Sequence, residues 1–176
     1  DKNDIVVSFK GIDMNLTANW DGTVDSYQWS DDGSKVYFIA AIDGTKQLFE
    51  VNFPGMTRIA INVQQITKGN FDVNGIVGFS GSKVIVTRGD MNHAAEIYSY
   101  DLKKKDWKQI SNINTEDYKS LALSKTERRY VTTTDGKKML VWVILPPNFD
   151  PAKKYPTLLY CQGGPQSALT QSYSFR

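Results

Sequence analysis

Along the first 111 residues, apolar positions come in short runs of Val, Ile, Tyr and Phe, split by turn dipeptides such as Asp32-Gly33, Asp43-Gly44 and Ser80-Gly81. This pattern predicts short strands joined by tight hairpins. Two stretches read alike. Residues 24–53, closed by Gln65-Ile66-Thr67, match residues 71–111, closed by Gln109-Ile110-Ser111. Trp29 falls on Phe79, Lys35-Val36-Tyr37-Phe38 on Lys83-Val84-Ile85-Val86, and Leu48-Phe49-Glu50-Val51 on Ile97-Tyr98-Ser99-Tyr100, at offsets of 48 to 50 residues. A four-stranded unit recurring every ~40–50 residues is the signature of propeller blades. Two blades alone leave flat faces uncovered, so they are expected to belong to a larger ring. The first sixteen residues, with Ile5-Val6-Val7 and Leu16, look like the end of an earlier blade.

After residue 123 the repeat stops. Arg129 to Thr134 and Met139 to Leu145 form two further strand candidates around Asp135-Gly136, followed by a loop with Pro146-Pro147 and Pro151. Residues 157–160, Thr-Leu-Leu-Tyr, have no polar alternation and read as a strand covered on both faces, as in an α/β sheet. The expected organisation is therefore a partial β-propeller over 1–123, about two four-stranded blades plus the end of another, and an incomplete α/β unit over 124–176. The fold class is mainly β.

Composition narrows the chemistry. With 21 basic and 19 acidic residues interspersed, the net charge is +2, which gives no sign of a nucleic-acid or membrane-surface partner. No apolar run approaches the length of a membrane span. Lys103-Lys104-Lys105 reads as a solvated hairpin tip. The one cysteine, Cys161, allows no internal disulfide, and with the one histidine, His93, the usual zinc spacings are excluded. Asp31-Asp32-Gly33-Ser34 invites a calcium reading but reads better as a hairpin turn needing φ > 0. Gly75, Gly78 and Gly81 have the wrong spacing for a dinucleotide loop, and no helix pattern follows. Asn15-Leu16-Thr17 fits a glycosylation sequon, relevant only in a eukaryotic secretory pathway. No G-x-S-x-G is present; Gly78-Phe79-Ser80-Gly81 breaks the pattern at its last position.

Residues 127–167 contain Asp135-Gly136, Trp142, Pro146-Pro147, Lys154-Tyr155-Pro156 and Gln162-Gly163-Gly164-Pro165 in order. This series resembles the entry into the catalytic domain of the prolyl oligopeptidase family of serine peptidases, most closely its dipeptidyl peptidase V and acylaminoacyl-peptidase branch. The stretch from Met91 to Tyr98 also resembles the family's blades. The resemblance implies a β-propeller followed by the first strands of an α/β-hydrolase domain. It implies a fragment of a serine exopeptidase that cuts short peptides through an acyl-enzyme, with no metal or organic cofactor. The bacterial members are often exported, so a periplasmic location is favoured over a cytoplasmic one.

In such an enzyme an oxyanion forms at the mouth of the sheet, and fixed N–H donors stabilise it. Gln162, Gly163 and Gly164 are the expected oxyanion loop, supported by Pro165, which stiffens the exit of the turn. The family commonly places His or Tyr where Gln162 stands; a side-chain amide can still donate. The catalytic Ser, Asp and His would follow this loop, so the segment is expected to be inactive alone. Cys161 reads as a small core residue and His93 as a structural or exposed loop residue. The expected partners are a peptide substrate and the remainder of the propeller and hydrolase domain, with self-association through exposed edges. Two other readings stay open at this point: a propeller-type binding module, and a hydrolase relative that has lost its triad.

Overall fold

In the computed structural model, residues 2–57, 59–161, 163 and 167–174 are described. The chain opens with a hairpin, β1 (Val6–Phe9) and β2 (Ile12–Asn15). A first four-stranded antiparallel sheet follows in the order β3 (Val24–Trp29), β4 (Lys35–Ile42), β5 (Thr45–Asn52) and β6 (Val63–Gln65). A second repeats the arrangement with β7 (Asp72–Ser80), β8 (Lys83–Asp90), β9 (His93–Asp101) and β10 (Asp106–Gln109). A short helix, α1 (Thr115–Lys119), leads to a last hairpin of β11 (Lys125–Thr132) and β12 (Lys138–Leu145). Each four-stranded sheet is a simple meander, as the repeat predicts.

The tight connections explain the register. Lys10 and Gly11 have φ of 50° and 76°, and Asp43 and Gly44 of 48° and 70°. Two-residue loops with both φ positive twist in the same sense as their strands, which locks Ile42 opposite Thr45 and Phe9 opposite Ile12. The Asp31-Asp32-Gly33-Ser34 stretch is a turn. The Asp32 carboxylate accepts the Ser34 N–H at 3.0 Å and the Ser30 and Ser34 hydroxyls at 2.7 and 2.8 Å.

Packing proceeds blade on blade. One face of the first sheet buries Val36, Phe38, Ala40, Phe49 and Val51 against Ile5 and Leu16 of the N-terminal segment. The other face buries Tyr37, Ile39 and Leu48 against Phe71, Val73, Val84, Val86 and Tyr100 of the second sheet. Alternation along β4 thus serves two cores at once, and each fully buried Phe, Leu or Val contributes roughly 1.5–3 kcal/mol.

The closing Gln-Ile-Thr and Gln-Ile-Ser turn out to be one structural device used twice. Thr67 Oγ1 accepts the Leu48 N–H at 2.9 Å, and Ser111 Oγ accepts the Ile97 N–H at 2.8 Å. Each hydroxyl in turn donates to a buried side chain on the third strand, Gln47 in the first blade and Glu96 in the second. These bonds replace the strand pairing that ends with β6 and β10.

Two expectations need correction. Residues 157–160 form no strand, and Leu158 and Leu159 are 98 % and 86 % exposed. A buried strand requires pairing on both edges, and no described segment pairs with this one. For the same reason Cys161 is exposed rather than buried in a core.

Candidate functional site

Of the predicted oxyanion loop, Gln162, Gly164 and Pro165 lie outside the described residues. Gly163 is exposed, and its carbonyl accepts the Ser167 hydroxyl at 3.1 Å. A Cβ placed on Gly163 would meet no atom within 4 Å.

Both sides of that loop are tied to one face of the blades. Asn92, in the turn between β8 and β9, exchanges side-chain bonds with Ser124: Nδ2 donates to the Ser124 carbonyl at 2.7 Å, and Oδ1 accepts its hydroxyl at 2.8 Å. On the equivalent turn of the first blade, the Asp43 carbonyl accepts Arg128 Nη1 at 3.0 Å. Gly44 lies under β12, where an added Cβ would sit 2.9 Å from Trp142 Nε1. Trp142 Nε1 donates to the Leu169 carbonyl at 3.2 Å, and the Met91 N–H donates to Gln171 Oε1 at 3.2 Å. Thr170 and Gln171 are buried there. Gln171 Nε2 is enclosed without an acceptor among the described residues.

Beside this contact lies a cavity of about 350 Å³, whose walls include Arg88, Asp90, His93, Glu96, Tyr98 and Tyr118. Asp90 organises its rim: Oδ1 accepts the N–H of Asn92 at 2.8 Å and of His93 at 2.9 Å. His93 Nδ1 lies 2.9 and 3.0 Å from the two carboxylate oxygens of Asp90. The imidazole meets Tyr118 edge to face at 4.9 Å, and the Tyr118 hydroxyl accepts the Ala94 N–H at 2.7 Å. His93 therefore stands in a fixed polar turn, as a structural residue of the rim.

Arg88 holds the floor. Its guanidinium carbon lies 3.8 Å from the ring centre of Phe71, 4.8 Å from Tyr98 and 4.9 Å from Trp107. Burial pulls this guanidinium below its ordinary pKa, while Tyr98 and Asp90 oppose the shift. Burial also raises the Tyr98 phenol. The Glu96 carboxyl is held below its ordinary value by the Ser111 hydroxyl first and then, against the opposing effect of burial, by the backbone and side-chain N–H groups of Asn114. Sequence reasoning passed over Arg88, although a signal was present. At the repeat offset of 48, Arg88 falls on Ala40, a fully buried alanine of the first blade. A position apolar in one copy and charged in the next departs from what the repeat requires.

Two meandering four-stranded sheets packed face to face, with further chain docked across their turns, define a segment of a β-propeller. The chain belongs to the family described as the dipeptidyl peptidase IV (DPP IV) N-terminal region, whose model matches residues 11–140. It is 38 % identical over 143 residues to dipeptidyl-peptidase 5 of Porphyromonas endodontalis, covering 80 % of this chain and 20 % of that protein. It is 33 % identical over 168 residues to dipeptidyl-peptidase 5 of Porphyromonas gingivalis, covering 94 % of this chain and 23 % of that protein. The chain thus spans about a fifth of the length of these relatives. In fold it is similar to an acylaminoacyl peptidase solved with Z-Gly-Gly-Phe-chloromethyl ketone, with a TM-score of 0.68 at 20 % identity over 87 % of this chain and 22 % of that one.

Proposed function

We propose that the chain is part of a serine exopeptidase of the dipeptidyl or acylaminoacyl type, with residues 1–123 supplying propeller blades and 124–176 opening the α/β-hydrolase domain. The observation that carries this reading is the 33 % identity to a dipeptidyl-peptidase 5 across 94 % of the chain. That match is too long to be confined to the blades. The contacts of Ser124, Arg128, Trp142 and Gln171 with the blade turns support it further, because a catalytic domain must be held in a fixed orientation over the propeller. In this reading the serine attacks the peptide carbonyl, and the turn from Gln162 to Gly164 faces the oxyanion. The propeller restricts access, so that only short peptides reach the serine.

The test is made on the parent enzyme with a chromogenic dipeptidyl substrate. Removing one oxyanion donor, by Gln162→Ala, is expected to lower kcat by about 10²–10³ with little change in KM. A parent without a downstream G-x-S-x-G, or without any hydrolysis, would overturn the peptidase reading in favour of a binding module. An active parent indifferent to Gln162→Ala would remove the residue from the oxyanion site.

A further inference from the structure

The second blade carries a cation that its architecture does not require. Ala40 occupies the equivalent place in the first blade and is fully buried, so a blade of this design closes without an arginine. The guanidinium carbon lies over the rings of Phe71, Tyr98 and Trp107. Ring contacts use none of the five N–H donors as hydrogen bonds, and no ion pair joins Arg88 to Asp90 or Glu96.

The neighbouring carboxylates are engaged elsewhere. Asp90 accepts the N–H groups of Asn92 and His93 and contacts the His93 ring. Glu96 accepts Ser111 and both N–H groups of Asn114. They do not bond Arg88, but they set the sign of the cavity. These two negative charges oppose any anion, a dianion such as phosphate about twice as strongly as a single carboxylate, which also presents one planar edge to the planar fork of Arg88. The volume of about 350 Å³ falls at the small end of ligand sites, roughly 300–1,000 Å³. The rings of His93, Tyr98 and Tyr118 stand in its wall, His93 and Tyr118 edge to face.

We propose that this cavity binds the carboxylate end of a short peptide or acylated amino acid, with Arg88 gripping the carboxylate and the aromatic wall receiving the terminal side chain. The site is defined by the second blade and does not depend on the peptidase reading, because binding is measured without any hydrolysis.

The experiment titrates the 176-residue chain with N-acetylphenylalanine by calorimetry at low salt, following tryptophan fluorescence in parallel. Saturable binding is expected, and N-acetylphenylalaninamide, the same shape without the charge, should bind about 10- to 100-fold more weakly. Arg88→Met keeps the stem against Phe71 and should show a similar loss; Arg88→Lys keeps the charge without the fork and should fall between. Circular dichroism confirms that each variant is folded, and the amide comparison decides the matter even if one is not. Absence of binding, equal binding of acid and amide, or phosphate binding as tightly as the acid would each overturn the proposal.

Discussion

The two blades share one plan and differ in how much of it is covered. The first is closed on both faces, by the N-terminal segment on one side and the second blade on the other. The second buries one face and leaves Val77 and Ile97 on the other 59 % and 37 % exposed. Their third strands carry the same polar node, with a glutamine in one and a glutamate in the other. Gln47 Nε2 donates to the carbonyls of Phe71 at 2.9 Å and Gly69 at 3.3 Å. Glu96 has nothing to donate and only accepts, from Ser111 and Asn114. The node can thus change its hydrogen-bond direction while the strands around it stay in register, provided the following segment changes with it.

The largest effect should come from the doubly covered blade. Phe38→Ala removes a fully buried ring stacked on Phe49 at 5.4 Å, and unfolding in urea should report a loss of about 3–5 kcal/mol. Exchanging the nodes comes next and should be asymmetric. Gln47→Glu turns a buried carboxylate against two carbonyls and should cost about 1–3 kcal/mol, whereas Glu96→Gln keeps an acceptor for Asn114 and should cost less. Gly44→Ala is expected to cost about 1–3 kcal/mol, because φ is +70° and the new methyl would press on Trp142. Ile97→Ala on the uncovered face should stay below about 1 kcal/mol.

Acid should separate the blades as well. The folded-state pKa of Glu96 is depressed, so its contribution is complete above its ordinary value of 4.5 and is lost as pH falls through the lower folded value. Glu96→Gln should flatten that part of the stability curve, measured by urea midpoints between neutral and acid pH. A curve of unchanged slope would assign the acid sensitivity to other carboxyls.

Much of the blade structure was legible because it is periodic. Paired runs at near-constant offset define strands, and Asp43-Gly44 and Asp135-Gly136 are hairpin turns as read, with Gly136 at φ +80°. The Gln-Ile-Thr and Gln-Ile-Ser matches were visible, but their meaning was not, since it lies in bonds to Leu48 and Ile97, 19 and 14 residues away. Residues 157–160 were misread because an apolar run encodes burial only if partners are present to bury it. Arg88 escaped notice because a lone arginine in a strand reads as a solvated face; only its comparison with Ala40 sets it apart. The oxyanion role expected of Gln162, Gly163 and Gly164 rests on resemblance alone, and the two glycines carry no periodic signal.

The bond from Arg128 to the Asp43 carbonyl joins residues 85 apart in the chain. Each blade can form from neighbours within its own meander, but this clasp must wait until both turns exist and the last hairpin has found them. Its closure entropy grows only slowly with the intervening length. Its absence from an early transition state would make it a brake on opening instead: weakening it would speed unfolding and leave the folding rate almost untouched. A contact that contributes modestly to equilibrium stability can in this way set how long the two parts of the chain stay together.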